Sequence, residues 1–182
     1  MNLVLSPHND DETLFCSFTI IRERAHVVVC YRGADGYGDP DEREAESTRA
    51  VTEYLRGSIE QWDFGSWSRK AQVRRMQDFD VRLRPQRVWA PDRESTHPEH
   101  LCVAILAEEV FRGRLTTYHT YRDERRTGGP LARVTSPRRV DWQPDWAYKK
   151  LAALSQYRTQ IQQAMICDLF LDDQREYYGS DL

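Results

Sequence analysis

Short apolar runs alternating with longer stretches of helical periodicity constrain this chain more than any other feature. Leu3 to Leu5 form the first run, and AHVVVCY, from Ala25 to Tyr31, is the clearest. Its valines show no polar alternation, so a strand there must be covered on both faces, as strands of parallel sheets are. SIEQWDF from Ser58, QRVWAP from Gln86 and RLTTYHTY from Arg114 read as further strands. Between them, Thr13 to Arg24, Asp41 to Leu55, SRKAQVRRMQDF from Ser68 and LCVAILAEEVFRG from Leu101 carry apolar residues at helical spacing.

Strand and helix in regular succession predict an α/β fold, a Rossmann-like sandwich with a mostly parallel central sheet flanked by helices. From Arg122 to Pro144 the pattern breaks into turns with room for a hairpin. The stretch from Trp146 to Phe170 predicts a last helix packed across the sheet. With 182 residues and no repeat or linker, the expectation is one domain spanning residues 1–182.

Composition excludes several classes. Hydrophobic residues at 40% and charged residues at 30% belong to a folded chain, and a formal net charge of -3 offers no general attraction to phosphate backbones. A nucleic-acid binder is not expected. The opening residues lack the basic leader of a signal peptide, and no apolar run is long enough to span a bilayer, so neither export nor membrane insertion is expected and the location is read as cytoplasmic. Cys16, Cys30, Cys102 and Cys167 form no C-x-x-C pair and read as reduced thiols. Oligomeric state is not indicated.

Two clusters stand where ligands sit in open α/β sheets, beyond the carboxyl ends of strands. The first is His8, Asp10, Asp11 and Glu12 in NLVLSPHNDDETLF, between the first strand and the first helix. One acid there would cap a helix. Three exceed that need, and adjacent carboxylates repel unless a cation lies among them. The second is STHPEH, with His97 and His100 three residues apart at a helix start. Thr96 and Glu99 match a capping box and Pro98 suits a first turn, which accounts for the helix start but not for the histidines. Catalytic zinc takes three protein ligands and keeps a position for water, and His8, Asp11 and His100 fit that count. Asp10, left unligated, would be free to take a proton.

The motifs resemble those of the PIG-L or LmbE-like family of zinc-dependent N-deacetylases. PHNDDE is similar to the family's P/A-H-x-D-D-E and HPEH to its H-P-D-H. REAESTRAVTEYL is similar to the R-x-x-E-x-x-x-A-x-x-x-L helix, and KLAALSQYRTQ to K-x-x-A-L-x-x-Y-x-S-Q. The resemblance runs from Pro7 to Gln160 in the family's order. It implies hydrolysis of an N-acetyl or N-acyl group on a small molecule, foremost an amino sugar such as N-acetylglucosamine, with Zn2+ as cofactor; another divalent transition metal such as Fe2+ would suit the same donors. It further implies His8, Asp11 and His100 as metal ligands, Asp10 as general base and His97 as oxyanion stabiliser and proton donor. Arg43 would hold substrate hydroxyls, and Glu12 and Glu46 would orient neighbours. Asn9 stands where many members have proline, and Glu99 where they have aspartate.

Two other readings use the same residues: a deacylase of a non-sugar N-acyl amine, and a ligand-binding protein that keeps the fold without turnover. An oxidoreductase is disfavoured because no G-x-G-x-x-G follows the first strand. Arg69, Lys70, Arg74 and Arg75 read as a solvated face, and His26 and His119 as structural. Trp62, Trp67, Trp89, Trp142 and Trp146 read as packing residues, although Trp67, just past a strand end, is also placed to stack on a sugar ring.

Overall fold

A computed structural model describes residues 1–33, 38–120, 138–141, 143–160 and 177–178. The first five strands, β1 (Asn2–Ser6), β2 (His26–Val29), β3 (Ser58–Gln61), β4 (Arg87–Pro91) and β5 (Leu115–Tyr118), are parallel throughout. Helices α1 (Asp11–Glu23), α2 (Pro40–Arg49), α3 (Arg69–Leu83) and α4 (Pro98–Phe111) make the crossovers. Two short strands, β6 (Arg138–Arg139) and β7 (Tyr177–Tyr178), add an antiparallel edge and give the order β3-β2-β1-β4-β5-β7-β6. The α/β sandwich read from the sequence is the one found. The hairpin expected between Arg122 and Pro144 falls mostly outside the described residues; within them, β6 pairs with the distant β7. The last helix among the described residues, α5 (Pro144–Leu154), is followed by turns at 155–160, and the rest of the stretch expected to be helical, 161–170, lies outside the described residues. Residues 161–176 lie outside the described set, Cys167 among them, as does Trp142.

The apolar strands are explained by two cores. Leu3, Leu5, Val28, Cys30, Val88 and Ala90 face one side and meet Met76 and Phe79 of α3 and Val103, Leu106 and Phe111 of α4. Val4, Val27, Val29 and Trp89 face the other, against Phe18 and Ile20 of α1, Val51, and Ala153 of α5. Alternate residues of each strand thus enter different cores, which is why no polar position interrupts them. Each buried aliphatic side chain contributes about 1.5–3 kcal/mol. The α5 helix is pinned to α1 by Lys150, whose Nζ donates to the Leu14 carbonyl at 2.6 Å and lies 5.1 Å from the Phe18 ring centre. The helix α2 ends in a π turn, Ala50–Tyr54, closed by Leu55 N–H on the Ala50 carbonyl at 3.1 Å. Among the described residues no helix is long and apolar enough to cross a membrane.

The strand order reverses between β1 and β4. Successive strands run outward from β1 towards β3 on one side and from β4 towards β5 on the other, so the turns after β1 and β4 diverge and leave a crevice. His8 to Glu12 line one wall, and His97 to His100 the other.

Candidate metal centre

The turn after β1 is built by hydrogen bonds that hold the acids close together. Sheet pairing continues past the strand, with Cys30 N–H on the Ser6 carbonyl and Tyr31 N–H on the Pro7 carbonyl at 2.8 and 2.9 Å. Asp10 then takes φ 132° and ψ -34°, a conformation closed to L-residues on steric grounds. Its carbonyl starts α1 by accepting from Thr13 and Leu14 N–H at 2.9 and 2.8 Å, while its own N–H is turned onto Glu12 Oε2 at 3.1 Å. The Asp10 side chain makes no cap hydrogen bond.

Glu12 is the anchor of the turn. Fully buried, it accepts from Ser6 Oγ at 3.1 Å and Ser47 Oγ at 2.7 Å, and from the Tyr157 hydroxyl. Burial raises its pKa, and these donors only partly offset the rise. Glu46 accepts from the backbone N–H and hydroxyl of Thr159 at 3.1 and 2.6 Å. The Asn9 carbonyl accepts from Arg43 Nη2 at 3.1 Å and Gln160 Nε2 at 3.0 Å. Arg43, expected to reach substrate, is fully buried behind the turn.

Across the crevice, α4 begins at Pro98 with His97 as its N-cap and no side-chain cap bond. The capping box expected of Thr96 and Glu99 therefore does not form. Glu99 turns to the opposite wall instead, where its Oε2 lies 2.5 Å from His8 Nε2. That bond places the His8 proton on Nε2 and leaves Nδ1 facing the crevice, the arrangement in which a carboxylate orients a ligating imidazole.

Three donor atoms then converge. His8 Nδ1 and His100 Nε2 are 3.3 Å apart, and Asp11 Oδ2 lies 3.3 Å from the first and 3.0 Å from the second. Ligands on a tetrahedral ion with bonds of about 2.0–2.2 Å stand about 3.3–3.6 Å apart, so the triangle needs little adjustment to close on one cation. Asp11 and His100 are fully buried, and Asp11 Oδ1 has no hydrogen-bond partner among the described residues. Two imidazoles and a carboxylate suit zinc or a neighbouring divalent transition metal. His97 stands beside them, its ring 4.7 Å from His8 and 5.0 Å from His100, and the ligand atoms of the three histidines lie within 4.8 Å of one another.

Electrostatics without a cation reflect the same crowding. Burial disfavours a charged His8, but bonds to Asp11 and Glu99 outweigh it and raise its pKa to about 10. Asp11 goes far below the usual carboxylate range because His100 and His8 overcome its burial. Asp10 goes well above it through burial and the charges of Asp11 and Glu12. His97 is lowered by burial and by His8 and His100. A divalent cation would compete with the proton on His8 Nδ1 for one place.

The structure thus brings His8, Asp10, Asp11, His97 and His100 to one crevice. The roles of Glu99, Ser47, Thr159 and Gln160 were not read from the sequence; only the resemblance around Tyr157 signalled that the segment past α5 belongs here.

A family model described as PIG-L, GlcNAc-PI de-N-acetylase, matches residues 3–111. No curated protein sequence matches the chain. Among solved structures, a conserved protein of Thermus thermophilus is similar with a TM-score of 0.77 and 23% identity, covering 99% of this chain and 94% of that one. The N,N'-diacetylchitobiose deacetylase of Pyrococcus horikoshii has a TM-score of 0.70 and 19% identity, covering 92% and 74%. The 4-carboxy-2-hydroxymuconate hydratase of Pseudomonas putida has 0.68 and 19%, covering 93% and 82%. At these identities the likeness is one of fold.

Proposed function

Since the chain belongs to the PIG-L family of GlcNAc-PI de-N-acetylases, we propose that residues 1–182 form one domain of a metal-dependent amide hydrolase that removes an N-acetyl or related N-acyl group from an amino sugar or sugar-containing small molecule. The observation that carries this reading is the triangle of His8 Nδ1, Asp11 Oδ2 and His100 Nε2, with buried Asp10 beside it and outside the ligand set. Those three side chains would hold the cation, zinc in the first instance. When bound, such an ion supplies Lewis acidity and brings the pKa of water from 15.7 towards about 7.

The chain's own groups supply the rest. A divalent charge held by Asp11 and the histidines would oppose the burial and the Asp11 and Glu12 charges that raise the Asp10 pKa, and the Asp10 carboxylate then accepts the proton of the water that adds to the acyl carbon. The strained backbone holds that carboxylate in place, so little reorganisation is needed at the moment of reaction. His97, on the opposite wall and half-exposed, donates an N–H to the oxygen that gains charge and relays to the departing amine, as the C–N bond breaks, the proton first taken from the water. Loss of a donor to such an oxyanion costs about 2.7–4 kcal/mol of barrier. Arg43 acts as a positioning residue by fixing the Asn9 carbonyl, one peptide from Asp10.

The test joins metal analysis to amine release from a panel of N-acetylated sugars and non-sugar amides. Asp10→Ala should keep its metal and lose turnover, whereas His8→Ala and Asp11→Ala should lose both. Equal metal loss in all three would abolish the distinction between base and ligand. Release from non-sugar amides alone would overturn the sugar assignment, and no release from any amide the hydrolase itself.

A further inference from the structure

The wall that faces Asp10 is tied down by two residues outside the converging ligands. Strand pairing continues one residue past β4, with Asp92 N–H on the Tyr118 carbonyl at 2.9 Å, and this brings Asp92 beside His119. The His119 ring donates through Nδ1–H to Asp92 Oδ2, while Asp92 Oδ1 accepts from Glu94 N–H at 3.1 Å. One buried carboxylate therefore joins the end of β5 to the loop that leads from β4 to α4. Further along that loop, Ser95 Oγ accepts from His97 N–H at 3.3 Å, and His97 opens α4 as its N-cap.

The His97 ring depends on this loop for its direction. Its Nδ1 has no hydrogen-bond partner among the described residues and stands 3.9 Å from Glu99 Oε2, yet the ring lies 4.7 Å from that of His8 and 5.0 Å from that of His100. The main chain must do the aiming. On the carbonyl side α4 holds it, with Leu101 N–H on the His97 carbonyl at 3.1 Å. On the amide side the hold comes from Ser95 and Asp92. Arg93 adds a tie to α4 through Nε on Glu108 Oε1 at 2.7 Å, but the pair is exposed, and such pairs contribute about 0–1 kcal/mol.

On the reading that His97 serves the oxyanion and the departing amine, we propose that Asp92, braced by His119, is a positioning residue of the reaction: it fixes the loop that aims the His97 ring at the metal centre. Arg43 does the same for Asp10 on the facing wall. The role calls for hydrogen-bonding capacity at two points rather than for charge. An amide at position 92 would still accept from Glu94 N–H, and its NH2 would donate to His119 Nδ1 once that ring carries its proton on Nε2. A methyl group would do neither.

The test is a double-mutant cycle on the zinc-loaded protein, read by amine release from N-acetylglucosamine. A misplacement of about 1 Å can cost about 100-fold in rate, so Asp92→Ala should lower kcat about 10–100-fold with KM within about threefold. Zinc affinity should not change, since the three ligands are untouched. Asp92→Asn should keep most of the wild-type kcat, and His119→Ala, which spares the Glu94 bond, should lose less than Asp92→Ala. In a His97→Ala background Asp92→Ala should change kcat by less than about twofold, because no ring is left to aim. A full loss in that background, a parallel loss of zinc, Asp92→Asn as slow as Asp92→Ala, or Asp92→Ala as fast as wild type overturns the proposal. If Asp92→Ala does not fold, His119→Ala takes its place in the cycle. Should wild type release no amine, the hydrolase reading fails separately, and NMR decides the positioning. Cross-relaxation between the ring protons of His97 and those of His8 or His100 that wild type shows and Asp92→Ala lacks supports it; a contact that persists in Asp92→Ala, or is absent from wild type, refutes it.

Discussion

Asp10 should be a residue whose replacement makes the protein both inactive and more stable, provided the replacement is glycine. Its φ of 132° with ψ of -34° is closed to residues with a Cβ, and strain of this kind costs about 1–3 kcal/mol. Asp10→Ala removes the carboxylate but keeps the Cβ, and so keeps the strain. Asp10→Gly removes both. Against the relief stands the greater freedom of glycine in the unfolded chain, about 0.4–1 kcal/mol. The net is a glycine variant about 1–2 kcal/mol more stable than the alanine variant, or about 2–8 °C in Tm for a chain of this size. Thermal unfolding with chelator present, so that metal affinity does not enter, is the assay. Both variants should be inactive in amine release. A glycine variant no more stable than alanine would mean that the conformation is not strained, and the account of how this carboxylate is held ready would fail.

Other consequences follow from neighbouring groups. Glu12 accepts from four donors, and a glutamine there would turn an NH2 towards at least one of them, so Glu12→Gln should cost about 1–3 kcal/mol in denaturant unfolding. Combined with Tyr157→Phe the loss should be less than additive, and strict additivity would show that the two do not share one network. Glu99→Gln should weaken zinc binding about 10–100-fold in a competitive chelator titration, because the carboxylate on His8 Nε2 orients the ligand and raises its basicity; an unchanged Kd would remove Glu99 from the centre. Far from the site, burial tends to raise the Glu60 pKa, but Trp62 Nε1–H, Arg75 and Arg82 outweigh it and hold it low. A depressed carboxylate contributes stability above its unfolded pKa of about 4.3 and loses it as pH falls through the folded value. Glu60→Gln should therefore be less stable than wild type at pH 7, with the gap closing in acid; a gap constant with pH would contradict the ion pairs.

The sheet was legible because its strands are apolar on both faces, a pattern that only a parallel sheet between two helical layers satisfies, as the split of Leu3 and Leu5 from Val4 shows. The convergence of His8, Asp11 and His100 was legible for a related reason: both motifs follow strand ends, and β1 and β4 are neighbours in the sheet. What pattern could not supply was the partner of each polar atom. Glu99 sits where a capping box predicts it should bond its own helix, yet it crosses the crevice to His8, because a carboxylate gains more from an imidazolium at 2.5 Å than from a backbone N–H that water can satisfy. Local sequence encodes the first option and only tertiary geometry the second.

The same limit explains the segment past α5. Tyr157, Thr159 and Gln160 carry no chemistry that spacing would flag, but each bonds a residue of the front half: Glu12, Glu46 and the Asn9 carbonyl. A turn that crowds Asp10, Asp11 and Glu12 and strains the first of them cannot hold itself, since repulsion and backbone relaxation would both open it. It is held because Ser47 from α2 and Tyr157 from beyond α5 saturate Glu12, and Arg43 and Gln160 clamp the peptide before Asp10. The reactive geometry of the amino-terminal motif thus depends on residues some 150 positions later, and a chain cut before Tyr157 would keep every proposed ligand while losing the bonds that aim them.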